Sequence, residues 1–124
     1  MINSMRRASI QFFQGIEEIV IPEIRLSKSK NGNTGQAVFT FKNPSVLISE
    51  NFKEINGMYL LDEEGTITVK EINVAVSKKN GKYTALQAIY TWNSKQGFER
   101  IMRFANRYAQ EKGLQYQEKK YLST

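Results

Sequence analysis

The chain contains no histidine and no cysteine, and only two prolines and one tryptophan in 124 residues. Without cysteine there are no disulfides and no thiolate ligands, and without histidine a zinc site loses its other usual donor. The missing imidazole also removes the ordinary general base of nucleophilic catalysis. Ser27-Lys28 and Ser29-Lys30 place serine beside lysine, but adjacent strand residues point to opposite faces, so neither pair can act together. Long apolar runs are absent too. The longest, Met58-Tyr59-Leu60-Leu61, falls far short of the roughly 18 residues that cross a bilayer. The opening Met1-Ile2-Asn3-Ser4-Met5-Arg6-Arg7 has two cations but no apolar segment and no small-residue cleavage site, so no secretory signal is expected.

What is present is ordinary for a globular domain: 40% apolar and 24% charged residues, with seven Phe and six Tyr to fill a core. The length suits one domain. We expect it over residues 9–116, between a flexible arm at 1–8 and a polar tail at 117–124. The net charge is +6, from 18 Lys and Arg against 12 acids, which favours an anionic partner: nucleic acid, an anionic membrane face or an acidic protein surface.

Hairpin signals dominate the first two thirds. A short strand at 9–14 stops at Gly15. Pro22 marks the start of a second strand, and Asn31-Gly32 suits a tight turn before Ala37-Val38-Phe39-Thr40-Phe41. Ile24 and Leu26 must share a face with Ala37, Phe39 and Phe41, which requires an even-numbered loop, either Asn31-Gly32 alone or Gly32 through Gly35. Lys28 and Lys30 are in phase with Leu26, so the tip is expected to overhang the core and carry its charges into solvent. Asn43-Pro44 ends the strand, with a short turn or helix at 45–50. Residues 57–61 read as a buried strand, and Asp62 to Gly65 as a turn. A long strand from Thr66 to about Lys78 changes apolar phase near Lys70-Glu71, which predicts a bulge or bend. Lys79-Asn80-Gly81 turns the chain into a last strand, 83–92, with Leu86, Ala88, Tyr90 and Trp92 in alternation.

The clearest helix runs from an N-cap at Ser94 to Lys112, with Gly113 as its stop. Phe98, Ile101, Met102, Ala105, Tyr108 and Ala109 form its apolar face, Phe104 lies at the margin, and Arg100, Arg103 and Arg107 fall on the opposite, solvent side. Gly97 stands where a capping-box carboxylate would sit, giving a weaker entry turn. The expected fold class is α+β: an antiparallel β-sheet built from hairpins, with a C-terminal helix packed on one face.

No residue set makes an active site. Asp62-Glu63-Glu64 is the only acidic cluster, and a hairpin turn explains it, with a docking role open to Glu63 and Glu64. Gly32-Asn33-Thr34-Gly35 matches the G-x-x-G phosphate clamp only literally, because it joins strands and not helices. Arg25, Lys28 and Lys30 make a basic arm. The stripe of Arg100, Arg103 and Arg107 suits carboxylates or phosphates, although a solvated helix face explains it as well. Met58 and Tyr59 belong to a core strand, yet a tyrosine at a strand edge can anchor an interface.

Taken in order, three motifs resemble one family. They are Ile21-Pro-Glu-Ile-Arg-Leu-Ser-Lys-Ser-Lys with Gly32-Asn-Thr-Gly35, Ala37-Val-Phe-Thr-Phe41 and Asn43-Pro44; Gly57-Met-Tyr-Leu-Leu-Asp-Glu-Glu-Gly65; and Arg100-Ile-Met-Arg-Phe-Ala-Asn-Arg-Tyr108 with Gly113-Leu114. Together they resemble the Psb-twenty-eight family, the small photosystem II assembly proteins of cyanobacteria and plastids, over about residues 9–117. The chain departs from the family at Gly97-Phe98, where an acidic residue and Trp are usual, and at Lys28 and Lys30, where Arg is common.

The resemblance implies a non-enzymatic protein without cofactor or metal, monomeric, and peripheral to the thylakoid membrane on its cytoplasmic or stromal side. It implies transient binding to photosystem II assembly intermediates. The expected partners are the core antenna protein of forty-seven kilodaltons, a stromal loop of the reaction-centre subunit that holds the secondary quinone, and the photosystem cytochrome b subunits. The family's sheet accepts strands from its partners. Arg25, Lys28, Lys30, Met58, Tyr59, Glu63, Glu64, Arg100, Arg103 and Arg107 are the candidate partner-binding residues. The competing expectation is a small basic nucleic-acid-binding module with a steep salt dependence. The aromatics weigh against it, since most alternate into the core.

Overall fold

A computed structural model describes residues 7–48, 52–76 and 80–113. Strands β1 (Ser9–Phe13), β2 (Ile16–Glu17), β3 (Glu23–Lys28), β4 (Gly35–Lys42), β5 (Met58–Asp62), β6 (Gly65–Val69), β7 (Glu71–Val76) and β8 (Tyr83–Trp92) precede one helix, α1 (Lys95–Glu111). The strands form two antiparallel four-stranded sheets, ordered β2-β1-β5-β6 and β3-β4-β8-β7. The architecture is α+β, as the hairpin pattern indicates, but the expected single sheet is divided in two. The break falls at Lys70, where the apolar phase changes: β6 ends in the first sheet and β7 begins in the second. The expected bulge is therefore a crossing between sheets. Among the described residues, no helix is long and apolar enough to cross a membrane.

The β3–β4 register pairs Leu26 with Ala37 and Ile24 with Phe39, as required by a loop centred on Asn31-Gly32. That loop is closed by Ser29 N–H donating to the Thr34 carbonyl. The tip does not overhang the core. The indole N–H of Trp92 donates to the Gly32 carbonyl at 3.2 Å, and the Lys28 ammonium lies 5.1 Å from the Phe98 ring centre. Indole and ring draw the loop down onto the start of the helix, because apolar contact area and a buried N–H outweigh free solvation of one lysine.

Inward residues of both sheets and the helix meet in one core, with Ile10, Phe39, Phe41, Met58, Leu60, Leu86, Ile101 and Phe104 wholly buried. Helix α1 begins where its cap predicts: the Ser94 hydroxyl accepts from Gly97 N–H, and Gly113 leaves the helix in the left-handed region at φ 70°. Gly97 has a packing reason for lacking a side chain, since a Cβ there would lie 2.8 Å from that of Trp92. Phe104 is central and not marginal. The buried stripe is rotated toward the arginines because the β5–β6 turn rises along that flank and covers it.

A 3₁₀ turn at Ser45–Ile48 confirms the first part of the short element after Pro44, and its remainder lies outside the described residues. The turn is capped by a group with no local sequence signal, Glu18. Its buried carboxylate accepts backbone N–H bonds from Val20, Ser45 and Val46 at 3.0, 2.8 and 2.9 Å. Residues 77–79 of the last hairpin's loop and the tail 117–124 also lie outside the described residues.

Candidate functional site

The helix spacing that aligns Arg100, Arg103 and Arg107 does not deliver them to solvent. All three reach across to the β5–β6 turn. Arg100 grips Asp62 with two parallel bonds, Nη1 to Oδ2 at 2.9 Å and Nη2 to Oδ1 at 2.8 Å. Arg107 Nη1 donates to the same carboxylate at 2.9 Å. Arg103 takes Glu64 in the same forked way, at 2.7 and 2.8 Å, and Arg107 also reaches Glu64. Paired planar forks are what guanidinium offers and ammonium does not. Asp62 orders the turn besides, accepting from Glu64 N–H at 2.9 Å. Asp62 is 3% exposed, so its charge is tolerable only because it is fully partnered.

Burial alone would raise the Asp62 carboxyl, but the bonds from Arg100 and Arg107 outweigh it and hold it below its usual range. Bonds from Arg103 and Arg107 hold Glu64 down to about 2. Both folded-state values are depressed, so the stability they contribute is complete above the ordinary carboxylate values of 3.8 and 4.5 and is lost as pH falls through them toward 2. The melting temperature should stay level from about pH 8 to about pH 5 and decline below that, and Glu64→Gln should make the decline shallower. Melts across a pH series check this.

The other candidates are scattered. Arg25 is exposed and bonded to Glu23 on its own strand at 3.0 Å, Lys28 is half-buried on Phe98, and Lys30 is exposed. Met58 is wholly buried and points into the core, while Tyr59 is half-buried on the opposite face of β5. Glu63 is exposed, 3.5 Å from Arg107. The three arginines and Glu64 form one cluster, but the basic hairpin is not part of it.

A feature that residue-by-residue reading passed over lies at the far edge of the second sheet. Among the described residues, strand β7 pairs with β8 on one side and with no strand on the other. From Ile72 to Val76 it carries no charge, and Asn73, Val74, Ala75 and Val76 are all exposed. The signal was available in Ile72, Val74 and Val76, whose alternation looked like a core face. Their apolar face runs past the core, so the row of side chains beside Leu86 and Ala88 is covered only in part. An uncharged edge run of this kind is usually blunted by lysine, proline or a bulge, and here the ladder is irregular only at its end, between Ala75 and Val76.

A helix clasped to one hairpin by arginine–carboxylate forks, beside a second antiparallel sheet, defines a small two-sheet α+β protein. The chain belongs to the Psb28 family: the family model described as "Psb28 protein" matches residues 10–116. It is similar to proteins named "Photosystem II reaction center Psb28 protein". That of Parasynechococcus marenigrum strain WH8102 is 50% identical over 112 residues, covering 90% of this chain and 87% of the relative. That of Synechococcus sp. strain WH7803 is 51% identical over 110 residues, covering 89% and 84%. That of the alga Cyanidium caldarium is 46% identical over 113 residues, covering 88% and 96%.

Proposed function

We propose that the chain is a photosystem II assembly or repair factor without catalytic activity, docking transiently on the cytoplasmic or stromal face of assembly intermediates at the thylakoid membrane. The names of its relatives support the photosystem II association. The structural observation that carries the mode of docking is the open edge of β7. An extended segment from the core antenna protein of forty-seven kilodaltons, or from the stromal loop near the secondary quinone, would pair with the free backbone groups of β7. Its inward side chains would cover Ile72 and Val74.

The basic hairpin lies at the opposite edge, on β3, with β4 and β8 between. Arg25 and Lys30 would therefore meet a different element of the partner and contribute mainly to association rate. The nucleic-acid alternative is weakened by the arginine stripe, because all three guanidiniums are engaged by Asp62 and Glu64 and are not aligned toward solvent.

Val74→Lys tests the edge. The side chain is 37% exposed, so a lysine there leaves the core intact while placing a charge where an added strand must seat. Co-migration with core complexes lacking the oxygen-evolving parts should fall roughly tenfold or more, with the melting temperature unchanged. Undiminished co-migration would exclude strand addition at β7. Wild-type protein found only in free fractions, in cells actively repairing photosystem II, would remove the assembly role itself.

A further inference from the structure

Besides Val74 and Val76 on β7, several exposed large apolar side chains gather at one place. Ile19, Ile48 and Tyr83 are 76%, 85% and 38% exposed, and contacts along the chain tie them to one end of the second sheet, opposite the tip of the basic hairpin. Val20 N–H and Val46 N–H both bond the Glu18 carboxylate, which seats the loop bearing Ile19 beside the 3₁₀ turn ending at Ile48. Asn43 N–H, just before that turn, bonds the Thr84 carbonyl, and Phe52, opening a second 3₁₀ turn at Phe52–Glu54, packs its ring 4.5 Å from that of Tyr83 at the start of β8. Ile16, 65% exposed, extends the same end.

Lysines frame these side chains. Lys42, Lys53 and Lys82 are exposed there: Lys42 is paired across the sheet with Ala85, Lys53 lies over the Phe52 ring, and Lys82 directly precedes Tyr83. Most nearby carboxylates are already engaged. Glu17 pairs with Lys112, Glu18 is buried on backbone N–H groups, and Glu23 pairs with Arg25, leaving Glu54 exposed. Isolated branched side chains on loop tips, ringed by lysines, match a surface of acyl chains beneath negative headgroups. A flat protein surface would leave such protruding side chains poorly packed.

We propose that this end of the molecule binds an anionic lipid surface directly, inserting Ile19 and Ile48 at the headgroup boundary while Lys42, Lys53 and Lys82 contact phosphate or sulfonate groups. The contact is independent of strand addition at β7 and would set the orientation in which the protein meets its partner.

The full-length protein, without any photosystem, is floated with phosphatidylcholine vesicles containing or lacking phosphatidylglycerol. Binding should require phosphatidylglycerol and weaken with salt. Ile19→Ser with Ile48→Ser should reduce it roughly tenfold, as should Lys42→Glu with Lys53→Glu and Lys82→Glu, with melting unchanged. Lys30→Glu with Lys95→Glu, both exposed at the hairpin-tip end of the sheet, should leave binding intact. No flotation with anionic vesicles overturns the proposal. So does an equal loss from the Lys30 and Lys95 reversals, which would reduce the effect to net charge. Concentration-dependent dimerisation abolished by the isoleucine substitutions would assign the patch to a second copy of the chain. None of these outcomes bears on co-migration with photosystem II, which is measured separately.

Discussion

Asp62→Ala should cost about 3–5 kcal/mol of folding stability, enough to leave a large fraction of a marginally stable chain unfolded. The carboxylate is buried and receives four hydrogen bonds that can be named: two from Arg100, one from Arg107 and one from Glu64 N–H. Removing it leaves Arg100 and Arg107 facing each other across a part-buried space, with Glu64 and the more exposed Glu63 to balance three guanidiniums. The penalty is thus repulsion and lost solvation compensation more than the loss of any single pair. Asp62→Asn keeps the volume and an acceptor, so it should cost less, and the gap between the two variants in urea denaturation measures the charge itself. By contrast, Glu64→Ala removes a more exposed partner and should fall well below Asp62→Ala, because solvent screens that pair. Equal losses at the two positions would show that the cluster acts as a surface network and that burial of Asp62 is immaterial.

Gly35→Ala should destabilise by about 3 kcal/mol, although it adds one carbon. A Cβ at this position would lie 2.3 Å from the Ser27 carbonyl oxygen and 2.4 Å from Cζ2 of Trp92. Backbone on one side and a buried indole on the other leave no flexible neighbour to move. The strand must shift or the indole must leave, and the indole's departure also breaks its bond to the Gly32 carbonyl. Loss of stability should therefore appear together with a red shift of the single tryptophan's emission in the folded state. Trp92→Phe in the same background should recover part of the loss, because the smaller ring vacates the space that the new methyl needs. A Gly35→Ala variant with native emission and native melting would mean that the hairpin tip is loosely held.

Much of this arrangement was legible because its signals are local. The alternation of Ala37, Phe39 and Phe41 against Leu26 allows only even loops, and the observed pairing is one of those that survive. Ser94 and Gly113 mark both ends of α1 through backbone needs that a neighbouring residue can meet. What escaped is non-local. Nothing near β1 says that it pairs with β5, so two sheets looked like one. The phase change at Lys70 revealed that a strand bends but not that it changes sheet. Arg100, Arg103 and Arg107 could be placed on one helical face, yet their partners lie in a turn nearly forty residues earlier. A second carboxylate, Glu18, looks like any surface acid until the 3₁₀ turn that it caps is brought beside it. Gly97 read as a weak cap because its contact, Trp92, is set by the exit angle of β8.

The position of β4 in its sheet bears on how the chain survives its own synthesis. One neighbour, β3, is a hairpin away, but the other is β8, and Trp92 meets the β3–β4 loop across 60 residues of sequence. While those residues are still being made, β4 has half of its ladder filled. Gln36 through Phe41 are uncharged, with aromatic and β-branched side chains and no proline, the composition that stacks readily with other copies. Closing a sheet by so distant a strand is also slow, since the loop entropy is lost before the pairing is gained. The nascent chain therefore passes through an interval in which its most adhesive segment is open, and yield in the cell depends on how quickly β8 arrives to cover it.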